Sequence, residues 1–263
     1  MAGPSGSSGS PERGSSVETE RLRSIQEEFG RAATGFAERT RGRFDDLKVV
    51  EFSRVPAGGS VCEVGAGTGN FLSLFSGRAG LLIAADLTPG MLVEARRRFG
   101  DLAAVCCDGF RLPFRSGSVD LVSSAQTLHH IHEPVPFLKE MRRVAAPGGR
   151  VLVVDQVAPE SLEEAIVRNR LELLRDPSHA SSRPASALRI VVRAAGMEII
   201  DERIIESRSR LSKWMWPGEF PDDRIAAVRE FIERYGDKTG MDWRRDGEDW
   251  TFARHRMMLL ARP

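Results

Sequence analysis

The sequence predicts a doubly wound α/β fold on a mostly parallel sheet. Three observations carry this. Short apolar runs alternate with amphipathic stretches from Ser60 to Asp155, a glycine loop (Gly65-Ala-Gly-Thr-Gly69) follows the first run, and acids close the next two runs at Asp86 and Asp108. Strands that alternate with helices are joined by crossovers, and crossovers place helices on both faces of a parallel sheet.

Residues Met1 to Ser16 are mostly Gly, Ser and Pro, a composition expected to stay disordered. From Val17 the character changes. Leu22, Ile25 and Phe29 follow helical spacing, and a second periodic stretch runs from Phe44 through Val49, Val50 and Phe52. Residues 17–58 are therefore expected as N-terminal helices. The strand-like runs are Ser60–Val64, Leu81–Asp86, Ala103–Cys107, Val119–Ser124 and Val151–Asp155. Amphipathic stretches between them include Asn70–Ser76, Pro89–Phe99 and Pro134–Val144. Pro147-Gly148-Gly149 reads as the turn between the last of these and its strand.

After Asp155 a helix is expected from Ser161 to Leu174, then a polar break from Arg175 to Pro184. Another helix precedes Gly196, a strand runs from Met197 to about Glu206, and a final strand from Thr251 to Leu260. The stretch Ser207–Trp250 is far longer than a hairpin loop and carries an amphipathic helix at Asp222–Tyr235. With residues 161–184 it forms the expected helical cap on a main domain spanning 59–263.

Composition narrows the partners. The 263 residues carry a net charge of +1 from 38 basic and 37 acidic side chains, so no field is evident that would hold a nucleic acid. Arg96-Arg97-Arg98 reads as a solvated helix face. No apolar run approaches the roughly 20 residues of a membrane span. No secretory hydrophobic stretch stands at the N-terminus. Cys62, Cys106 and Cys107 lie in apolar runs and read as small buried hydrophobes. A cytoplasmic protein is expected.

Chemistry centres on Val61-Cys-Glu-Val-Gly-Ala-Gly-Thr-Gly-Asn70. Glycine lets the chain turn sharply and lets a ligand approach the main chain. Dinucleotide binding wants G-x-G-x-x-G, but the position three after Gly67 is Asn70. A P-loop needs Gly-Lys-Ser/Thr, which is absent. An acid two residues before the first glycine suits a ligand without phosphate, with Glu63 meeting the amino group of a methionine moiety. Asp86 ends the second strand, where doubly wound folds place an acid on ribose hydroxyls. Capping of the next helix is the rival role for Asp86, and Thr88 suits it better. Asp108, in Cys107-Asp108-Gly109-Phe110, can accept from an adenine amino group while Phe110 or Leu87 covers the ring.

The chain resembles the class I S-adenosylmethionine-dependent methyltransferases of the small-molecule type related to ubiquinone/menaquinone-biosynthesis enzymes. The resemblance runs from about Phe29 to Gly196. It rests on Glu63–Gly69, Asp86, Asp108, Ser118-Val-Asp-Leu-Val122, Leu128-His-His-Ile131, Glu140-Met-Arg-Arg-Val144 and Pro147-Gly-Gly149. It implies a Rossmann-like, seven-stranded sheet with its last strand antiparallel, and S-adenosylmethionine at the strand C-termini. Cofactor-binding residues expected on this basis are Glu63, Gly65, Ala66, Gly67, Gly69, Asp86, Leu87, Met91, Asp108, Gly109, Phe110, Ser124 and Ala125. The segment from Phe29-Gly30 to Phe36 resembles a helix that closes over the cofactor. Phe36 stands where many relatives carry Tyr, and Ala125 where many carry Arg.

For the acceptor, no Asn/Asp-Pro-Pro-Tyr follows the fourth strand, which argues against methylation of nucleic-acid bases. No acidic cluster is placed there to hold a metal. His129 and His130 are the candidate general bases, since methylating a hydroxyl removes its proton. A packing role for the pair is the alternative, and His132 reads as a surface loop residue. Phe29, Phe36, His179, Trp214 and Trp216 are the candidates for an acceptor pocket. For the tryptophans, cap packing or an interface between copies are the rivals. The reading is O- or C-methylation of a small molecule by in-line displacement. Two alternatives stay open: an enzyme on this fold that does not transfer methyl, and a regulatory cofactor-binding protein. The oligomeric state is left open as well.

Overall fold

Four of the five apolar runs form strands buried on both faces. In the computed structural model, which describes residues 42–215 and 220–263, β1 (Ser60–Val64), β2 (Leu81–Asp86), β3 (Leu102–Cys106), β4 (Val119–Ala125) and β5 (Ala145–Ala158) run parallel. β7 (Glu198–Arg210) and β9 (Asp249–Arg262) complete the main path, whose order is β3-β2-β1-β4-β5-β9-β7. β9 is antiparallel to both β5 and β7. Two short strands add to these seven: β6 (Arg183–Pro184) on β5 and β8 (Arg244–Asp246) on β9. The described sheet therefore has nine strands where seven were expected. The additions are short pairings made by residues of the segments 161–184 and 207–250.

Alternation explains the layering. Cys62 and Val64 of β1, Val151 and Val153 of β5, and Met257 and Leu259 of β9 face one core cluster. Val61, Leu152, Val154, Met258 and Leu260 face another. Successive strand side chains point to opposite faces, so a run apolar throughout is covered on both sides. One face is covered by α3 (Pro134–Val144) and α5 (Ala185–Ala194), through Leu138, Met141, Leu188 and Val192. Phe52 of α1 (Val49–Ser53) and Leu92 and Ala95 of α2 (Pro89–Arg98) cover the other, with Leu72 and Phe75. The path reverses between β1 and β4, and such a switch point opens a crevice beyond the strand C-termini.

Two expectations are corrected. Pro147-Gly148-Gly149 is no separate turn, because β5 begins at Ala145, directly after α3, and Ala145 already pairs with Val119. The register shifts between Val119 and Leu121, and Gly148 at φ 80° absorbs the irregularity inside the strand. Of the cysteines only Cys62 is buried; Cys106 is exposed and Cys107 half-buried. β3 is flanked only by β2 on the path, so its second face and edge are less covered.

The segments expected as a cap share a core of their own. Ser161 caps α4 (Leu162–Arg175), its hydroxyl accepting from Glu164 N–H. α4 packs with α6 (Leu211–Trp214) and α7 (Asp222–Tyr235) through Leu171, Leu211, Trp214, Val228, Ile232 and Phe252. Phe252 is fully buried, with its ring centroid 4.4 Å from Trp243 and 5.1 Å from Trp214. Phe252→Ala should cost about 3–5 kcal/mol of stability, measured by denaturant unfolding. A loss under about 0.5 kcal/mol, the range of tolerated surface changes, would mean that this cluster is not tightly packed. Among the described residues no helix is long and apolar enough to cross a membrane. The expected tail 1–16 and the helical segment through Phe29 and Phe36 lie outside the described residues, as does Trp216.

Candidate active site

The glycines behind β1 have three different reasons to be glycine. Gly65, Gly67 and Gly69 sit at φ 75°, 52° and 78°, in the left-handed region. A Cβ on Gly65 would stand 2.5 Å from Thr127 Oγ1, so β4's exit loop needs the space. On Gly69 it would press against Phe99, Ala95 and Leu102 at 3.3–3.4 Å, on the side away from the crevice. On Gly67 it would meet nothing within 4 Å. The N–H groups of Gly65 and Ala66 both donate to Ala85 O, at 2.8 and 3.1 Å, which ties the loop to the end of β2.

Acids at the strand ends hold this loop in place. Asp86 Oδ2 accepts from Gly67 N–H at 2.7 Å, and Oδ1 accepts from Thr88 N–H at 2.8 Å. Burial raises its pKa, opposed by those backbone donors. Thr88 is the helix cap position, as expected, but makes no capping bond with its side chain. Glu63 is 2% exposed and its Oε2 accepts from Leu72 N–H at 3.0 Å. Burial drives the Glu63 carboxyl well above the ordinary range. Asp108 Oδ1 accepts from Phe110 N–H at 2.9 Å, folding the turn after β3. A Cβ on Gly109 would lie 2.5 Å from Phe137 Cε2.

These groups surround one cavity of about 230 Å³. Its walls include Glu63, Gly65, Ala66, Gly67, Asp86, Leu87, Met91, Asp108, Gly109, Phe110, Ala125, His129 and His130 from the sequence-based set. Gly69 and Ser124 are not among them; Ser124 is buried with its hydroxyl unpartnered. His179 is 4% exposed and lies behind the wall, its ring 5.6 Å from that of His129 and its Nε2 2.9 Å from Asn169 Oδ1. Trp214 packs in the cluster around Leu171, Ile232 and Phe252, with the Arg175 guanidinium 4.7 Å from its ring. Phe29, Phe36 and Trp216 are outside the described residues.

Sequence reasoning missed several lining residues, among them Arg43, Gln126, Thr127 and Asp176. It also missed Asp155, marked only as a strand end. β4 and β5 are neighbours, so the loop after one reaches the end of the other. His129 Nδ1 lies 2.6 Å from Asp155 Oδ1, and His129 N–H donates to Asp155 Oδ2 at 3.1 Å. Gln156 N–H donates to Asp155 Oδ1 at 2.7 Å. Both carboxylate oxygens are thus acceptors, and Nδ1 carries the imidazole proton. Burial, then His130, holds His129 well below the ordinary imidazole range, while burial pushes Asp155 up to about 6 against its backbone donors. Among the described residues Nε2 makes no hydrogen bond, and His129 lines the cavity.

The break after α4 is stitched to this loop. Ala180 and Ser181 N–H both donate to His129 O at 2.9 Å. His130 Nδ1 lies 3.1 Å from Ser178 O and from Ser178 Oγ, which donates to Asp176 Oδ1 at 2.5 Å. Burial works to raise the Asp176 pKa, but His130, Arg175 and the Ser178 hydroxyl outweigh it and hold the carboxyl low.

Known proteins resemble this chain in sequence and in fold. A family model described as a methyltransferase domain matches residues 62–153. The chain is 37% identical over 102 residues to a demethylmenaquinone methyltransferase of Beutenbergia cavernae, covering 39% of this chain and 42% of that protein. It is 35% identical over 119 residues to a ubiquinone/menaquinone biosynthesis C-methyltransferase of Hahella chejuensis, covering 42% and 48%. The match thus spans less than half the length of these two relatives. An uncharacterised methyltransferase of Bacillus subtilis, YcgJ, is 30% identical over 186 residues, 68% of this chain and 72% of that one. The crystal structure of YcgJ superposes with a TM-score of 0.72 at 22% identity, over 82% of this chain and 97% of that one. Because the match to the Bacillus subtilis protein runs through most of both chains, this chain belongs to the S-adenosylmethionine-dependent methyltransferases.

Proposed function

We propose that the chain transfers the methyl group of S-adenosylmethionine to a hydroxyl or carbon nucleophile of a small molecule. The observation that carries this is the division of one cavity. The glycine loop, Asp86 and Asp108 line one side, and His129 backed by Asp155 lines the other. The cofactor supplies a sulfonium-bound methyl group that a nucleophile displaces in line.

The residues fit that cofactor. Open space at the Cβ position of Gly67 lets a ligand reach the main chain. Glu63, a buried acid, recovers its ionised form beside a cation and faces the amino group of the methionine moiety. Asp86, already fixed by two backbone donors, takes the ribose hydroxyls. Asp108 takes the adenine amino group, with Leu87, Met91 and Phe110 against the ring. Gly65, Ala66 and Ala125 line the methionine end. Gly69 shapes the turn, and Ser124 is buried within β4 beside Ala125. His129 takes the acceptor's proton, and the remaining work is orientation and exclusion of water. The curated relatives are named for demethylmenaquinone methylation and for C-methylation in ubiquinone/menaquinone biosynthesis, which favours an aromatic, quinone-related acceptor.

Titration calorimetry with S-adenosylmethionine, S-adenosylhomocysteine and NAD is the direct test. Both sulfur compounds should bind and NAD should not. Asp86→Ala should weaken them by about 10–200-fold, the loss of hydrogen bonds to a charged acceptor. NAD binding without the sulfur compounds would sink the reading. Labelled methyl should then appear in members of a panel of phenols and naphthoquinols. Tight binding with no transfer to any of them would favour a cofactor-binding protein that does not methylate.

A further inference from the structure

Four acids line the cavity: Glu63, Asp86, Asp108 and Asp176. The first three belong to β1, β2 and the turn after β3, and each has a part of the cofactor to meet. Asp176 has none. It comes from the break after α4, and among the described residues it is the one wall residue that follows Phe137.

Local sequence fixes this carboxylate. Pro177 cannot continue a helix and drives the residue before it into extended backbone. Asp176 accordingly ends α4 at φ −136° and ψ 100°, its N–H still donating to Glu172 O at 2.8 Å. Ser178 then folds back, its N–H and its hydroxyl donating to Asp176 Oδ1 at 3.0 and 2.5 Å. The same turn is fastened to the proposed base, since Ala180 and Ser181 N–H both donate to His129 O. Asp176 and His129 therefore keep a fixed relation to each other.

Only one oxygen of Asp176 is satisfied. Among the described residues Oδ2 accepts no hydrogen bond, and the cation within 4.0 Å of it is Arg175, with Nη2 at 3.7 Å. Arg175 is held on the other side. Its Nη2 donates to Glu172 Oε2 at 3.2 Å, and its guanidinium lies 4.7 Å from the Trp214 ring. Burial works to raise the Asp176 pKa, yet His130, Arg175 and the Ser178 hydroxyl keep it low, so the group is ionised at neutral pH. Its side chain is 15% exposed. A carboxylate oxygen so far withdrawn from water and left unmet is unfavourable, and a donor brought in by a ligand offsets that penalty.

An ionised carboxylate accepts hydrogen bonds and donates none. Arg175 already stands near this one, and the sulfonium shares the cavity, so a neutral donor fits better than a further cation. We propose that the acceptor carries a second hydroxyl, away from its reacting atom, that donates to Asp176 Oδ2 while the reacting group faces His129. This rests on the methyl-transfer reading of the cavity and adds the acceptor's class, an aromatic diol. Asp176 is a specificity-determining residue, since it touches the acceptor without touching the reacting atom. Two fixed contacts orient the diol for in-line attack.

The test uses the full chain saturated with S-adenosylhomocysteine, titrated calorimetrically with α-naphthol and, separately, with the isomeric naphthalenediols. At least one diol should bind about 10-fold or more tightly than α-naphthol, the worth of a hydrogen bond to a charged acceptor. Asp176→Asn keeps an oxygen for the Ser178 donors and puts an N–H donor where Oδ2 stood. It should abolish the preference for the diol, while affinities for α-naphthol and S-adenosylhomocysteine stay within about twofold. Unchanged S-adenosylhomocysteine affinity also shows that the variant is folded. No diol preferred over α-naphthol overturns the proposal, as does a preference that survives in Asp176→Asn. So does an Asp176→Asn variant that loses S-adenosylhomocysteine, which would give Asp176 to the cofactor's ammonium group. Tighter binding of an aminomethyl naphthol than of any diol would replace the hydroxyl by a cation and overturn it as well. Failure of the cofactor reading is seen earlier and separately, when S-adenosylhomocysteine does not bind to the unaltered chain at all.

Discussion

Replacing His129 with Ala should lower kcat for methyl transfer to a hydroxyl acceptor by about 10²–10⁴, the usual worth of a positioned general base. S-adenosylhomocysteine affinity should be nearly unchanged. The argument is one of protonation state. Asp155 receives backbone N–H groups on both oxygens, so it accepts the Nδ1 proton and leaves Nε2, on a residue that lines the cavity, without a partner among the described residues. A base works only while unprotonated. Burial holds His129 below the ordinary imidazole range, so the active form persists through neutral pH. Activity should fall as pH drops through about 6, where the hydrogen-bonded pair takes up a proton. That acid limb belongs to the pair and not to either residue alone. Asp155→Asn should act on both levels, since an amide offers one oxygen where two backbone donors must be met. Imidazole added to the His129→Ala enzyme should restore part of the rate. A variant with full kcat and an unshifted pH profile would remove His129 from the chemistry.

Gly65→Val should lower stability by about 2–5 kcal/mol, combining the left-handed backbone penalty with overpacking. The Cβ would come within 2.5 Å of Thr127 Oγ1, and φ is 75°. Thr127 cannot simply move aside, because its hydroxyl bonds Gly65 O at 3.2 Å and Ala125 O at 3.3 Å. In a domain of this size that loss corresponds to a Tm drop of about 4–20 °C. Cofactor binding should fail as well, since the same loop carries Gly67. The control is Gly67→Ala. No atom lies within 4 Å of that Cβ, so it should lose only the left-handed term, about 1–2 kcal/mol. Equal losses in the two variants would show that the contact with Thr127 does not matter.

The fold was readable because its signals are local. Each strand is a short apolar run, and the glycine loop and the acids Asp86 and Asp108 stand at fixed places behind such runs. The pairing of His129 with Asp155 depends on β4 lying beside β5 in one register, which no local pattern encodes. Gln126 in a left-handed conformation is invisible for the same reason; nothing in its neighbours demands it. Trp214 shows the limit of composition: an aromatic residue in a cap serves a pocket or a core equally well until packing decides. Pro147-Gly148-Gly149 has turn composition, yet Gly148 lets it continue as an irregular strand.

The place of β9 has a consequence for synthesis. β7 has only β9 as a neighbour on the main path, and β9 also supplies the second neighbour of β5. A chain emerging from the ribosome releases the first five strands in an order that lets them pair at once. β7 then follows with both edges bare until Asp249–Arg262 has been made. Through that interval the nascent protein exposes a long strand edge, the kind of surface that pairs with a neighbouring chain. Closure of the sheet therefore waits for β9, the last of the described strands to be made. Slowing elongation between β7 and β9 should increase the fraction of chains lost to aggregates, while slowing it before β5 should not.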